Sequence, residues 1–465
     1  MVFQNNVLSG AAGSGTTVHT IDQSIRFNDD DSAYMSRTPS SASNRKTWTW
    51  SAWCKRGHIT DSDGGNMFCT YGGSGSAFSG IRWETAVQND TLFIFDYTGS
   101  AFNYQLHTTQ VFRDPSAFYH IVFAFDSTQS VPSERARLYI NGQRVTDFRT
   151  ESYPTLNYDS YTNNNQLTVI GASNVGSYNE HLDGYLAEIV FIDGQALDPS
   201  SFGEYNSSGI WVPKDVSGLT FGTNGFHIDG RDASDLGDDE SGNGNDFSTS
   251  GLATHDQVSD SPTTNWCVMN PLLNNGCTYS NGNLEIAPPN LQTTHRLIYP
   301  TQGILPSDTN KYYWEITYLA SDNTSSVNIL GIGNLNNPSN VASTALTNDA
   351  DEYGLGYNTA TSNIYRGSNW TANGSPTWSG GFTAGAIYGV AYDGSTKRIY
   401  FYENNSALNS GNHFATYTGS ATLGPAASLY YSPSSSKLIF NMGNNGFTYT
   451  PPTGYVAVNT TNLGS

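Results

Sequence analysis

The residues best suited to bind a metal ion lie in one acidic, glycine-rich segment, residues 235–246. Four oxygen-bearing side chains alternate along it: Asp239, Ser241, Asn243 and Asn245. Oxygen ligands at alternate positions, with Gly244 at the sixth place, are what a calcium-binding loop presents, although Ser250 stands where such a loop has a bidentate Glu. The segment predicts either a loose calcium site or a turn whose Asn and Asp side chains bond their own backbone.

Two further stretches carry aromatic side chains next to amide and charged groups. Tyr and Trp rings stack on the apolar faces of sugars, while Asn and Asp bind the hydroxyl groups. The alternative is that these side chains cap a core or pack against another subunit. The predicted ligand-binding residues are Tyr158 and Tyr161 in residues 153–161, and Tyr365, Arg366, Asn369, Trp370 and Trp378 in residues 365–378.

Patterns for catalysis are missing from the sequence. Glycoside hydrolysis needs two carboxylates on one face, and the nearest approach, Glu180 and Asp183, has a spacing that places them on opposite faces of a strand. His120 lies in a densely apolar run, where a hydrogen-bonded core histidine is expected. Neither a nucleophile elbow, a zinc-protease helix nor a phosphate loop occurs. We therefore predict no catalytic residues and no enzyme activity.

The composition favours strands over helices and excludes nucleic-acid binding. Only 13% of the 465 residues are charged, and 13% are aromatic. Such a chain forms short strands joined by polar turns. Its formal net charge of −20 opposes phosphate binding, which needs clustered Lys and Arg. No apolar run is long enough to span a bilayer, so no membrane insertion is expected.

The strand pattern predicts an all-β protein with two antiparallel β-sandwich (jelly-roll) domains. Residues 1–22 are expected to form a polar N-terminal arm, either frayed or ordered against a neighbouring subunit. Alternating and doubly apolar runs fill residues 23–213, and Asn141-Gly142 predicts a hairpin. Residues 214–275 are expected to form an irregular connector, and residues 276–465 a second sandwich.

Two sets of strand motifs each resemble a known family. The first set is Trp53 and residues 119–122, 138–142, 170–171 and 184–189, and through it the first sandwich resembles laminin-G/concanavalin-A-like jelly rolls. The second set is residues 313–316, 331–333, 389–393, 399–404, 440–441 and 447–452, and through it the second sandwich resembles SPRY domains. The SPRY resemblance implies partner binding through loops at one end of the sandwich, which points to residues 365–378.

The whole chain is similar to tail-fibre, appendage or capsid-decoration proteins of marine bacteriophages, through residues 45–48 and 191–197. This implies a virion structural protein, assembled in the host cytoplasm, that adheres to a host-surface glycan or protein. The expected partners are other virion proteins, reached through the N-terminal part, further copies of the chain, and the host ligand. No cofactor is expected apart from the calcium ion considered above. The alternatives are a purely structural virion component or a carbohydrate-active enzyme.

Overall fold

The computed structural model describes residues 19–463 except 58, 60–64, 85–89, 174–178, 274–275, 291–293, 320–326, 337–345, 347–348, 359–360, 380 and 431–436. The described chain forms two compact units, a first that ends at Thr263 and a second that begins at Thr264. Both consist of β-strands with a few single-turn helices, which confirms the predicted fold class. The described residues include no helix with the length and hydropathy needed to cross a membrane. Most of the predicted N-terminal arm, residues 1–18, lies outside the described residues.

The first unit is a sandwich of two antiparallel sheets. Sheet A has the strand order β10-β9-β8-β3-β13-β1-β18, with β16 paired to β13, and sheet B has the order β11-β7-β6-β5-β4-β12-β2-β17. Strands β14 and β15 form a separate pair. The strands are β1 (Ser24–Phe27), β2 (Tyr34–Arg37), β3 (Thr47–Arg56), β4 (Asn66–Tyr71), β5 (Phe78–Glu84), β6 (Thr91–Tyr97), β7 (Phe102–Val111), β8 (Tyr119–Asp126), β9 (Ala136–Ile140), β10 (Gln143–Arg144), β11 (Phe148–Ser152), β12 (Thr168–Ile170), β13 (Gly184–Asp193), β14 (Gly203–Tyr205), β15 (Trp211–Pro213), β16 (Phe226–Ile228), β17 (Ser248–Ser250) and β18 (Gln257–Val258). Single-turn 3-10 helices lie at Asp29–Asp31, Pro132–Glu134, Pro199–Ser201 and Thr254–Asp256.

Alternation along the strands sends one set of side chains into the core between the two sheets. In β8, Ile121 and Phe123 join this core, together with Leu92 and Ile94 of β6. Their neighbours in sequence point to the outer faces, because successive side chains of a strand lie on opposite sides of the sheet. The outward residues of sheet A are covered by residues 196–221, here called the covering segment. This second cluster contains Val122, Ala124, Tyr139, Val190 and Ile192 of the sheet, with Phe202, Val216 and Phe221 of the covering segment.

The predicted hairpin is confirmed. Ile140 pairs with Gln143, which leaves a two-residue turn at Asn141 and Gly142. Both turn residues have positive φ, of 49° and 77°, as a type I′ turn requires. The residue types at this turn are therefore dictated by backbone conformation.

The second unit is also a two-sheet sandwich. Sheet C has the strand order β19-β20-β32-β22-β27-β28-β30-β26, with β29 paired to β28 and β33 to β22, and sheet D has the order β21-β31-β23-β24-β25. The strands are β19 (Thr278–Ser280), β20 (Glu285–Ala287), β21 (Arg296–Ile298), β22 (Lys311–Tyr318), β23 (Val327–Asn334), β24 (Tyr353–Asn358), β25 (Thr361–Arg366), β26 (Trp370–Ala372), β27 (Ile387–Asp393), β28 (Arg398–Glu403), β29 (Ser406–Ala407), β30 (Ala415–Tyr417), β31 (Leu423–Leu429), β32 (Leu438–Asn441) and β33 (Tyr455–Val456). Single-turn 3-10 helices lie at Pro271–Leu273 and Asn409–Gly411.

The segment expected to form a connector, residues 214–275, is divided between the two units at Thr263 and Thr264. Three of its strands complete the sheets of the first unit: β16 pairs with β13, β17 with β2 and β18 with β1. Residues 218–221 form no strand, whereas residues 226–228 form β16.

Candidate binding surfaces

The predicted ligand residues Tyr158 and Tyr161 are brought together by one buried carboxylate, that of Asp96 in β6. Tyr158 Oη donates to Asp96 Oδ1 at 2.9 Å, and the backbone N–H of Tyr161 donates to Asp96 Oδ2 at 2.9 Å. Asn103 Nδ2 adds a third hydrogen bond at 2.8 Å. Burial raises the pKa of Asp96, and these hydrogen bonds oppose the shift. Both tyrosines are half-buried, so the loop that contains them packs against sheet B.

The two tryptophans predicted to bind ligand in the second unit are core residues, which corrects that part of the prediction. Trp370 is 3% exposed and Trp378 is 8% exposed, and both belong to the main cluster of the unit. The ring of Trp370 packs 4.9 Å from that of Tyr417, and its Nε1 donates to the carbonyl of Asp351 at 3.0 Å. Neither indole face is open to a sugar ring, because β26 pairs with β30 at Trp370 and the ring of Trp378 packs 5.1 Å from that of Phe382.

The remaining residues of that stretch differ in exposure. Arg366 is exposed at the end of β25, and Tyr365 is half-buried over Gly356, where a Cβ atom would come within 2.3 Å of the Tyr365 ring. Asn369 Nδ2 donates to Asp351 Oδ1 at 2.6 Å, and its carbonyl accepts from the N–H of Thr418 at 2.8 Å. Arg366 is therefore the predicted residue here that is most available to a partner.

The acidic segment forms a turn, here called the acidic turn (residues 235–246). Its polar side chains form hydrogen bonds within the protein. The carboxylate of Asp239 accepts four hydrogen bonds: from the N–H groups of His227, Ser241 and Asn245 at 2.9, 2.9 and 2.8 Å, and from Ser241 Oγ at 2.8 Å. Asn243 Nδ2 donates to the carbonyls of Gly222 and Gly225 at 2.8 and 2.9 Å. This is the side-chain-to-backbone bonding that the turn interpretation predicts.

The same donor set does not fit a calcium ion. Asn245 Oδ1 accepts a hydrogen bond from the guanidinium of Arg37, so a cationic group already occupies this position. Burial lowers the pKa of Arg37, and the charges of Asp239 and Asp246 oppose that shift. Within the described ranges, no group of three or more His, Cys, Asp or Glu side chains is arranged to hold a metal ion.

Ser51 and His120 form a hydrogen-bonded pair that could be mistaken for a nucleophile and its base. Ser51 Oγ lies 2.9 Å from His120 Nε2, and Trp211 Nε1 donates to His120 Nδ1 at 3.0 Å. Because an indole N–H can only donate, Nδ1 must be the acceptor, and the ring proton is on Nε2. His120 therefore donates to Ser51 and cannot remove its proton. Burial lowers the pKa of His120 to about 3, which keeps the ring neutral.

A surface that the sequence interpretation did not select lies on the outer face of sheet B. We call it the phenylalanine face, defined by Phe78, Phe93, Phe95, Tyr97 and Phe102. Leu92 and Ile94 belong to the core, so their neighbours in β6 point outward. The rings of Phe93 and Phe95 are stacked with centroids 4.7 Å apart. Phe102 stands edge-on to both at 5.6 and 5.9 Å, and Phe78 stands edge-on to Phe95 at 4.9 Å.

Polar groups border the phenylalanine face. The guanidinium carbon of Arg82 lies 5.7 Å from the ring centroid of Phe93 and 5.3 Å from that of Phe95. Arg82 is held by Glu84 at 2.7 Å and by Glu180 at 3.0 Å. On β7, His107 is paired with Phe93 and Gln105 with Phe95, which places an imidazole and an amide next to the rings.

The sequence did carry a signal for this surface. Residues 92–95 are an apolar run of the type expected in a strand covered on both faces. The period-two spacing of Phe93, Phe95 and Tyr97 was the more specific feature, because it places three rings on one side of one strand. What the spacing could not show is which neighbouring strands add Phe78 and Phe102.

The chain therefore consists of two all-β sandwich units that carry exposed aromatic and polar side chains. Residues 28–200 match the family model of the concanavalin A-like lectin/glucanases superfamily, laminin G type, and residues 311–445 match that of the SPRY domain. The chain thus contains a laminin G-type, concanavalin A-like domain followed by a SPRY domain.

Solved structures that match the chain include domains LG4-5 of the mouse laminin alpha1 chain. They are 8% identical, with coverage of 94% of this chain and 95% of that chain and a TM-score of 0.31. The SPRY domain of human HERC1 is 16% identical over 37% of this chain and 96% of that chain, with a TM-score of 0.26. A putative carbohydrate binding protein from Bacteroides ovatus is 14% identical over 50% of this chain and 58% of that chain, with a TM-score of 0.28. None of the curated proteins compared with the chain matches it.

Proposed function

We propose that this chain is a virion surface protein, a tail fibre, appendage or capsid decoration, that adheres to a glycan or protein on the host cell. The observation that carries the proposal is the presence of a laminin G-type, concanavalin A-like domain and a SPRY domain in one chain. Both are sandwich domains whose open side chains suit recognition. In this proposal the N-terminal part contacts other virion proteins, and several copies assemble so that weak contacts combine into avidity.

We also propose that the protein is not an enzyme. The hydrogen bonds of Ser51, His120 and Trp211 support this, since they fix the ring proton on the nitrogen that faces the hydroxyl. A general base must be able to accept that proton.

The competing function is a purely structural virion component without a ligand. The burial of Trp370 and Trp378 favours it, because two of the seven predicted ligand residues serve the core instead.

Binding of the labelled full-length chain to a glycan array and to intact host cells tests adhesion. We expect binding to at least one glycan or to the cells, whereas a purely structural component binds neither. Antibody against the chain should label the outside of intact virions in electron micrographs. Light scattering of the chain with and without residues 1–22 tests whether the N-terminal arm holds the copies together.

A further inference from the structure

The phenylalanine face reaches solvent through three of its five rings. Phe102 is 41% exposed, and Phe78 and Tyr97 are half-buried. Phe93 and Phe95 lie beneath them at 7% and 2% exposure. The face is therefore a layer of rings outside the sheet, with two rings as its floor and three that reach solvent.

The rings of this layer pack closely against one another and against the sheet. Phe95 lies over Gly80, where a Cβ atom would come within 2.9 Å of the ring. Phe102 is fixed from three sides, since its ring centroid is 4.9 Å from that of Tyr97 as well as close to Phe93 and Phe95. Rings that are already ordered lose little conformational entropy when a ligand binds, so a small ligand can be held.

The open area limits the type of partner. A stable protein–protein interface buries about 800 Å² on each side, whereas an aromatic side chain buries about 150–250 Å² in total. Three partly open rings therefore offer less apolar area than one whole side of a stable protein interface buries. One pyranose ring, which presents an apolar face about as large as a phenyl ring, matches the area available.

The border supplies the hydrogen bonds that a sugar needs next to its stacked face. Arg82 is anchored by Glu84 and Glu180, so its remaining N–H groups and the carboxylate oxygens are held in fixed positions. The amide of Gln105, half-buried next to Phe95, adds a donor and an acceptor. Aromatic rings bordered by fixed polar groups are the usual composition of a sugar subsite.

Charge selects among sugars. Two carboxylates share the single guanidinium of Arg82, so this border is not cationic. The whole chain has a formal net charge of −20, which repels anionic ligands. An acidic sugar would have to compete with Glu84 and Glu180 for Arg82, whereas a neutral sugar pays no such electrostatic cost.

We infer that the phenylalanine face is a subsite for one neutral sugar ring of a glycan, with Phe102 as the stacking platform and Arg82 and Gln105 as hydroxyl-binding groups. The inference rests on the proposed adhesive function and names the ligand class and the site for it. Binding at this subsite involves no covalent step.

The test uses the full chain and begins with a glycan array that contains matched neutral and acidic glycans, such as lactose and 3′-sialyllactose. The neutral glycan with the strongest signal is then titrated against variants by NMR. We expect Phe102→Ala to weaken binding at least about tenfold, since a lost stacked ring is worth about 1.4 kcal/mol. Phe102→Tyr keeps the ring and should retain the affinity. Val131→Ala, at a residue 52% exposed outside this face, is the matched control.

The outcomes separate this inference from the proposed function. Neutral-glycan binding that is unchanged in Phe102→Ala, or binding restricted to acidic glycans, overturns the subsite and leaves adhesion standing. Cell binding that survives enzymatic removal of surface glycans does the same, because the ligand is then a protein. If the chain binds neither glycans nor cells, both proposals fail. Far-UV circular dichroism of Phe102→Ala and Phe102→Tyr shows that a lost signal is not a loss of fold.

Discussion

The outer faces of the two sheets of the first unit are covered in different ways. Sheet A turns Val122, Ala124 and Tyr139 outward, and the covering segment buries them. Sheet B turns Phe93 and Phe95 outward, and these rings are buried mainly against other rings and Arg82. Strands β6 and β8 are both apolar on both sides, so the pattern alone does not distinguish a covered face from an open one. The two faces differ in what covers them, which is a separate segment of the chain on sheet A and neighbouring rings on sheet B.

The largest expected effect comes from comparing Phe202→Ala in the covering segment with Phe102→Ala in the phenylalanine face. Phe202 is 2% exposed, so its removal should cost about 3–5 kcal/mol of the free energy of unfolding. Phe102 is 41% exposed, so its removal should cost less than the removal of Phe202. Urea unfolding followed by tryptophan fluorescence measures both. Equal costs would mean that the phenylalanine face is a second core and not a surface.

The next largest effect is a pH dependence of the free energy of unfolding that comes from His120, on the outer face of sheet A. Its pKa is lowered by burial to about 3, whereas an unfolded histidine titrates near about 6.5. Between these values the unfolded chain binds the extra proton, so stability falls as the pH falls and is fully present above about 6.5. Each pH unit in this window should cost about 1.4 kcal/mol.

Urea unfolding at pH 7 and pH 4.5 measures this loss, and His120→Gln provides the comparison. A glutamine can accept from Trp211 and donate to Ser51, and it does not titrate. The variant should therefore show a smaller loss between the two pH values than the wild type. Parallel losses in the two proteins would show that His120 is not the group responsible.

A smaller pH dependence of stability, opposite in sign, is expected from the pair His227 and Glu188 at the edge of the outer face of sheet A. Burial lowers the pKa of His227, but the hydrogen bond at 2.8 Å and the charge of Glu188 outweigh it, with Asp229 adding to the rise and Arg231 opposing it. The folded pKa is raised overall, so the contribution to stability is fully present below the unfolded value and is lost as the pH rises through the folded value.

Glu188→Gln should remove this contribution, which is about 1.5 kcal/mol for a charged hydrogen bond. Glu188 also has a φ of +48° at the bulge in β13, so Glu188→Gly separates the two effects: it loses the pair but relieves the backbone. Thermal unfolding from pH 5 to pH 9 measures the difference. Wild type and Glu188→Gln should converge at high pH, and a constant gap would point to packing instead of protonation.

Much of the fold was predictable from the sequence because its signals are local. Residues 48–53 alternate and lie within β3, and Asn141-Gly142 fixes a turn that requires positive φ. The order of strand signals also indicated both domain families, which the family models confirm over residues 28–200 and 311–445.

The candidate surfaces were less predictable because they depend on contacts between distant segments. Trp370 stands in a polar stretch, yet its partner strand β30 lies some 45 residues further along and brings Tyr417 against it. The phenylalanine face likewise depends on the registers that place β5 and β7 on either side of β6. Composition can mark such residues as useful for binding, but only strand pairing decides whether they are buried.

The smallest effect is expected from added calcium at the acidic turn, which stabilises the outer face of sheet A at its end through bonds to the carbonyls of Gly222 and Gly225. Asp239→Asn puts a donor in place of an oxygen that accepts two hydrogen bonds, and should cost about 1.5–3 kcal/mol in the free energy of unfolding. Added calcium should leave the melting temperature of both proteins unchanged, because the Asp239 carboxylate already accepts four hydrogen bonds and Arg37 donates to Asn245. Differential scanning fluorimetry with calcium and with EDTA checks this, with Asp232→Asn as the exposed control. A calcium-dependent rise that Asp239→Asn abolishes would instead establish a metal site, and the end of the outer face of sheet A would then depend on an ion.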